Sequence, residues 1–451
     1  MPSLKLIVAG ILSIPCFLVS IVTAPIIALL AIPPLFLLLF RKEKVKQQQP
    51  ERSEEDKGKR DDDGDEEKEN YLGHVLIFGG SSGIGLAIAN ECIRRCYHRS
   101  AARCGRSSSA THEMVTTTMQ ITILARDPIK LDQAKQELQQ QQVRQQLLRQ
   151  ETILEQQQPQ QSPIETIRIG IDVISVDVTD YKQLQIVAKR CLTGNNSINN
   201  NNSSSDNITV FNCAGIPYTT EYDHIPVEKY EQVLQTNVLG AMYVTKAVLP
   251  YMDKQGCLVY CASAAGQVGM YGYTAYSPTK YALRGYVEAL QQELLRTKPH
   301  VSVQLAFPID TNTPGYHTEY QMMPELTKVL NATTGLATAK DTAQIMVEQA
   351  RVFPTRTTKT KTPTFHVYFT LEGWILSNLT VGMAPVTNLF DAITQISLLN
   401  IFRLISLFVV NDWYETIRSY DKNKNNPQNS SDACSSSNNK EEEGEEPKKQ
   451  K

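Results

Sequence analysis

The sequence predicts a doubly wound, Rossmann-type α/β fold, a parallel sheet with helices on both faces. Three observations predict it. The apolar run Val75-Leu76-Ile77-Phe78 feeds a glycine-rich turn and then a stretch of helix formers. Three further short apolar runs follow, each ending in a polar residue or a small-residue turn. Tyr276 and Lys280 stand four residues apart in a stretch of helical character. Short continuous apolar runs mark strands buried on both faces, and their alternation with helices builds open parallel sheets.

The first unit is strand, turn and helix. The turn is Gly79-Gly80-Ser81-Ser82-Gly83-Ile84-Gly85, and the helix opens with Leu86-Ala87-Ile88-Ala89. Gly79, Gly83 and Gly85 let the backbone approach a pyrophosphate, and the helix N-terminus offers unpaired N–H groups and a partial positive charge. The spacing is GxxxGxG rather than the GxGxxG of ordinary dinucleotide folds. The second strand, Ile121-Thr122-Ile123-Leu124-Ala125, ends in Arg126, with Lys130 just beyond. An NAD site places a carboxylate near this point for the ribose 2′-hydroxyl. Here a cation comes first and Asp127 is one place further on. Ser81, Ser82, Arg126 and Lys130 suit the additional phosphate of NADP through charge-assisted hydrogen bonds. The third strand, Asp172-Val173-Ile174-Ser175-Val176, ends at Asp177, a carboxylate able to accept from an adenine amino group. The fourth, Ile208-Thr209-Val210-Phe211, enters Asn212-Cys213-Ala214-Gly215, where Ala214 and Gly215 let a backbone pass close to an adenosine. Taken singly, a plain Gly/Ser loop and a solvated strand end remain open alternatives.

The chemistry concentrates at Tyr276-Ser277-Pro278-Thr279-Lys280. Four residues are about one helical turn, so phenol and ammonium share a face. A free tyrosine titrates near pH ~10, and a fixed cation beside it is expected to lower that value. Such a phenol can give a proton to a carbonyl oxygen as hydride reaches the carbon. Ser263 lies thirteen residues upstream, and Asn237 stands in Gln235-Thr236-Asn237-Val238-Leu239-Gly240.

In this order and spacing the residues resemble the short-chain dehydrogenase/reductase superfamily, over roughly residues 72–314. The resemblance implies that Tyr276 donates the proton, Ser263 hydrogen-bonds the substrate carbonyl, Lys280 binds the nicotinamide ribose and acidifies Tyr276, and Asn237 holds a water in a proton relay. Phe78 stands where the superfamily often has a threonine. Downstream, Tyr271-Gly272-Tyr273-Thr274-Ala275-Tyr276, Asp310-Thr311-Asn312-Thr313-Pro314-Gly315 and Gly382-Met383-Ala384-Pro385-Val386-Thr387 are similar to the 3-ketodihydrosphingosine reductase family. That resemblance implies NADPH as cofactor, with Thr311 and Thr313 at the nicotinamide carboxamide. It implies a long-chain sphingoid-base ketone as substrate, reduced to dihydrosphingosine, and the endoplasmic reticulum membrane as location. Other membrane reductases of the superfamily, acting on steroid, retinoid or 3-ketoacyl substrates, share the catalytic residues, and a non-catalytic NADP-binding scaffold is a further alternative.

The chain has 451 residues and a net charge of −2, which gives no case for nucleic acid. Its nine cysteines and seven histidines show no metal-ligand or secretory spacing. Residues 4–40 are almost wholly apolar, interrupted by Pro15, Pro25, Pro33 and Pro34. At ~1.5 Å per residue they exceed the ~30 Å hydrocarbon core, as one kinked span or a re-entrant hairpin. A removed signal peptide is the alternative, disfavoured by Pro25 after Val22-Thr23-Ala24. Arg41, Lys42, Lys44 and Lys46 follow, and the positive-inside rule keeps them, and the domain after them, in the cytosol. The expected organisation is an anchor at 1–40, a charged disordered linker at 41–70 and a reductase domain at 71–350. A C-terminal membrane-associated region at 351–420 and a disordered tail at 421–451 complete it. Low-complexity surface insertions are expected near 98–118, 139–161 and 195–207, the glutamine tract being able to extend a helix. Residues 316–323 are expected to cover the substrate. Residues 393–410 are apolar but hold Asn400 and Arg403. They suit an interfacial helix, a second span, or helices of a core or homodimer interface.

Overall fold

The computed structural model describes residues 68–104, 115–155, 165–193, 207–332, 335–353, 364–382, 384 and 389–424. The expected anchor at 1–40, most of the linker and nearly all of the tail lie outside the described residues.

Strand β1 (Lys68–Phe78) is followed by α1 (Gly83–Cys104), β2 (Val115–Ala125), α2 (Pro128–Glu155), β3 (Glu165–Ser175), α3 (Tyr181–Thr193) and β4 (Asn207–Asn212). Next come α4 (Val227–Leu234), a π-turn at Gln235–Leu239, α5 (Gly240–Val248), β5 (Gln255–Cys261), α6 (Ser277–Thr297) and β6 (Val301–Ala306). The chain continues through β7 (Thr311–Asn312), α7 (Pro314–Met322), α8 (Glu325–Asn331), β8 (Ala337–Thr338) and α9 (Ala339–Gln349). It closes with β9 (His366–Val367), α10 (Leu371–Leu379) and α11 (Leu389–Lys424). Seven strands form one sheet in the order β3-β2-β1-β4-β5-β6-β9, with every pairing parallel.

The apolar runs account for both faces of this sheet. On one side Leu184, Val244, Leu283, Val287 and Leu294 from α3, α5 and α6 pack on alternate strand residues such as Leu76, Val210 and Leu258. On the other, Ile88, Cys92, Ile93, Leu131, Leu138, Ala343 and Met346 from α1, α2 and α9 pack on Val75, Ile77, Ile121 and Ile123. Period-two alternation along the strands feeds two cores at once. Phe78 is buried in the first of them.

The first three strands are longer than their apolar runs. Residues 115–118, assigned by sequence to an insertion, are the start of β2, with Thr116, Thr117 and Thr118 buried. Lys68–Asn70, expected in the linker, open β1 opposite Val115–Thr117. β-branched threonines suit a pleated surface, and further along the same strands polar side chains pair across the sheet: His74 bonds Thr122 Oγ1 at 2.8 Å and Gln120 donates to Asp172 at 2.8 Å. Residues 98–104 continue α1, and the glutamine tract is helical as far as Glu155. The remaining parts of the three expected insertions lie outside the described residues, apart from Asn207, which opens β4.

Gln267 Nε2 donates to Ser377 Oγ at 2.6 Å and ties α10 to the loop after β5. Trp374 of α10 meets Phe402 of α11 edge-on at 5.8 Å. Among the described residues no single helix is long and apolar enough to cross a membrane. Two parts of α11, Ala392–Leu399 and Ile401–Tyr420, meet that test only together, and they are bent by 61°.

Candidate active site

Strand order reverses between β1 and β4, and a cavity of about 640 Å³ opens there at the carboxyl ends of the strands. The glycine turn forms one wall. Gly79 N and Gly80 N both donate to Leu124 O, at 2.8 and 3.2 Å, which folds the turn over the end of β2. Gly79 has φ +78°, and a Cβ there would lie 2.8 Å from Ala214 N. A Cβ on Gly85 would lie 2.3 Å from Gly79 O. Only glycine permits this close turn, which leaves the N-terminus of α1 open to the cavity.

The opposite wall carries the reacting groups. Ser263 follows β5 and caps a short 3₁₀ turn, its Oγ accepting from Ala265 N at 3.2 Å. Ser263 and Tyr276 both line the cavity, and the serine hydroxyl acts on the phenol. Tyr276 is the N-cap of α6, and Lys280 lies one turn along, its Nζ 5.4 Å from the centre of the Tyr276 ring. Lys280 Nζ donates to Cys261 O at 2.9 Å, which anchors it to the end of β5. A Cβ on Gly266 would come within 3.0 Å of the Lys280 backbone, so the serine turn seats directly on the lysine turn. Asn237 sits in the π-turn, a distortion common at functional sites. Its Oδ1 accepts from Ile216 N at 2.8 Å, and its Nδ2 donates to Ile216 O at 3.0 Å and to Thr279 Oγ1 at 3.1 Å.

The electrostatics depart from expectation at one point. Burial pushes the Tyr276 phenol well above its ordinary value, the charges of Glu319 and Cys261 push it further, and the Ser263 hydroxyl pulls it back. The expected net lowering by Lys280 is therefore not what this protein environment does. Burial also pulls the Lys280 ammonium down, against the nearby Cys261, Cys213 and Glu319 charges. In a low-dielectric pocket desolvation outweighs one cation near the ring. The phenol is held protonated, the form able to donate.

The family model for short chain dehydrogenases matches residues 153–323, the segment that holds Asn237, Ser263, Tyr276 and Lys280. Over 349 residues the chain is 32% identical to the 3-dehydrosphinganine reductase of Danio rerio, covering 76% of this chain and 85% of that protein. Identity and coverage are the same with the 3-ketodihydrosphingosine reductase of Bos taurus. The chain belongs to the 3-ketodihydrosphingosine reductase family of short-chain dehydrogenases/reductases. Members of this family are oxidoreductases that act on a ketone, and so is this protein. A polyketide ketoreductase solved with NADPH is similar to it in structure at 19% identity and a TM-score of 0.44, over 62% of this chain and 89% of that chain.

In this short-chain reductase most of the residues expected at the cofactor line one cavity. Gly79, Ser81, Ser82, Gly83 and Gly85 line it along the glycine turn. Arg126 and Lys130 stand at one end, and Ala214, Gly215, Thr311 and Thr313 line it near Tyr276 and Lys280. Thr311 Oγ1 donates to Ile309 O at 2.8 Å, and Thr313 Oγ1 accepts from Tyr316 N at 3.1 Å to cap α7. Three expected residues are not among those that line the cavity. Asn212 is buried, and its Nδ2 reaches Ala241 O at 3.4 Å. Asp177 spends Oδ1 on the N–H and hydroxyl of Thr179, at 2.9 and 2.8 Å, with Oδ2 3.9 Å from Arg126. Asn237 holds the loop after β4 in place through the bonds given above. Sequence reasoning passed over Tyr273, Asp310 and Glu319, which line the cavity beside Tyr276. The only signal was that Glu319 falls within the stretch expected to cover the substrate.

Proposed function

We propose that the protein reduces 3-ketodihydrosphingosine to dihydrosphingosine with NADPH as hydride donor. One observation carries the reading: Ser263, Tyr276 and Lys280 converge on a single dinucleotide-sized cavity in a chain 32% identical to reductases named for this substrate. The residues fit the cofactor. The backbone cradle at Gly79 and Gly85 has no room for a Cβ, as a pyrophosphate site needs. Arg126, half-exposed at the end of β2, and Lys130 suit a 2′-phosphate. Asp127, the carboxylate that would instead take a 2′-hydroxyl, accepts from Ile129 N and Lys130 N at 3.0 and 3.2 Å and so caps α2.

When bound, NADPH supplies the hydride. The chain's own groups do the rest. Ser263 and Tyr276 line the same cavity, and a ketone oxygen placed between them meets two preorganised donors. Charge grows on that oxygen only as the reaction proceeds, so these donors favour the transition state over the bound ketone. Tyr276 delivers the proton, and Lys280 holds positive charge beneath the ring from which it leaves.

The reading extends to place. The apolar residues 4–40 followed by Arg41, Lys42, Lys44 and Lys46 support an anchor in the endoplasmic reticulum membrane with the catalytic domain in the cytosol. Exposed Ile396, Ile405, Leu407 and Phe408 on α11 support a second membrane contact. Protease protection of tagged termini tests the topology. For the chemistry, NADPH oxidation by membranes containing the protein is measured with 3-ketodihydrosphingosine, a steroid ketone, a retinoid and a 3-ketoacyl thioester. Turnover of the sphingoid ketone is expected, and turnover of only the others refutes the reading.

A further inference from the structure

The cavity holds a carboxylate that hydride and proton transfer do not use. Glu319 lies in α7, and its Oε1 accepts from Thr219 Oγ1 at 2.7 Å. Tyr273 lines the same cavity and acts electrostatically on this carboxylate. Its charge acts on Tyr276, second only to burial, and both side chains line the one cavity. Three acidic side chains line the cavity among the described residues: Asp127, Asp310 and Glu319. Asp127 caps α2 beside Arg126 and Lys130, leaving Asp310 and Glu319 at the Tyr276 end. Neither of these two forms an ion pair with a described residue, and burial raises both above the usual carboxylate range. Lys280 acts on Glu319 only through space and forms no ion pair with it; a partly desolvated carboxylate without an ion-paired cation is costly, and a cationic ligand group gains there.

We propose that Glu319 recognises an ammonium group on the carbon next to the substrate ketone, and so selects 2-amino ketones over neutral ones. The inference rests on the sphingoid-ketone reading above, since that substrate carries its amine beside the carbonyl. With the carbonyl oxygen between Ser263 and Tyr276, a neighbouring ammonium shares the cavity that Glu319 lines, where Thr219 holds the carboxylate. Pairing also removes an obstacle to catalysis. Glu319 disfavours loss of the Tyr276 proton, and a bound ammonium cancels that charge when the proton is needed. A neutral ketone leaves the opposing charge in place.

The test uses the full-length protein in membranes and two substrates: 3-ketodihydrosphingosine and its deaminated analogue, in which hydrogen replaces the amino group. The readout is the ratio of their kcat/KM values. Wild-type protein is expected to prefer the amine, and Glu319→Gln to lower that preference about ten- to hundredfold, mainly through KM for the amine, as expected for loss of a charge-assisted bond. Thr219→Val, which removes the bond aiming the carboxylate, is expected to lower it less. NADPH titration of each variant reports whether the fold is kept. A wild-type protein indifferent to the amino group overturns the assignment, and so does a Glu319→Gln variant that binds NADPH and keeps the wild-type ratio. Should Glu319→Gln fail to bind NADPH, an unchanged ratio in Thr219→Val overturns it instead. If wild-type protein turns over neither sphingoid ketone while reducing a steroid ketone, the function reading itself fails and takes this one with it.

Discussion

Tyr276 and Arg126 carry the sharpest predictions at the scale of the residue. Tyr276→Phe keeps the ring that packs 5.9 Å from Tyr273 and removes only the hydroxyl. Turnover is expected to fall by about 10²–10⁴-fold, the usual worth of a positioned acid, while NADPH fluorescence titration gives an affinity close to wild type. Substantial residual reduction would refute the role. Arg126→Ala is expected to weaken NADPH about ten- to hundredfold and NADH far less, because Asp127 is occupied as a helix cap and Arg126 is the cation nearest the end of β2. Equal losses for both cofactors would count against a 2′-phosphate site. The pair Tyr276 and Lys280 was legible because helical spacing alone puts the two together. Glu319 was not, since its partner Thr219 is 100 positions away and only the docking of α7 joins them.

The elements show why tight turns and long-range ties matter. A Cβ on Gly85 would meet the Gly79 carbonyl at 2.3 Å, a backbone atom that cannot move without pulling β1 from β2. Gly85→Ala is expected to cost about 1–3 kcal/mol by overpacking and to weaken NADPH, both visible in thermal melts with and without cofactor. An unchanged melting point would show that the turn relaxes freely. Gln267→Ala removes the 2.6 Å bond to Ser377, whose residue is buried, and with it one link between α10 and the catalytic loop. Hydrogen exchange across Leu371–Leu379 is expected to quicken while β1 and β4 stay protected; uniform exchange would remove Gln267 as the tie. The strand cores were legible from apolar runs. Their full extent was not, because β2 continues through threonines that look like loop until β1 and β3 pair with them along their length.

For the whole molecule the informative groups are histidines. Burial lowers His74 to about 3, and burial with the Arg284 charge lowers His366 to about 4. Below the ordinary value of ~6.5 the unfolded chain takes up protons that the folded one refuses. Stability is therefore full above that value and falls as pH drops towards these two, by about 1.4 kcal/mol per pH unit for each histidine. Asp310 and Glu319 act the other way, because burial raises them. His74→Gln leaves those carboxylates in place, so denaturation measured from pH 7 to 4 is expected to show a shallower slope than wild type. Identical slopes would mean that His74 is protonated in the fold. The sequence by itself determined the sheet class, the glycine cradle and the tyrosine–lysine pair, because each depends on neighbours in the chain or on strand and helix periodicity, while Ser263 came from the resemblance to the superfamily. Tertiary structure alone decided that the Asn212 and Asp177 side chains bond within the protein, that the phenol is raised rather than lowered, and that Glu319 lines the cavity with it. Those outcomes depend on burial and on charges brought together across the sheet, and neither is written in local spacing.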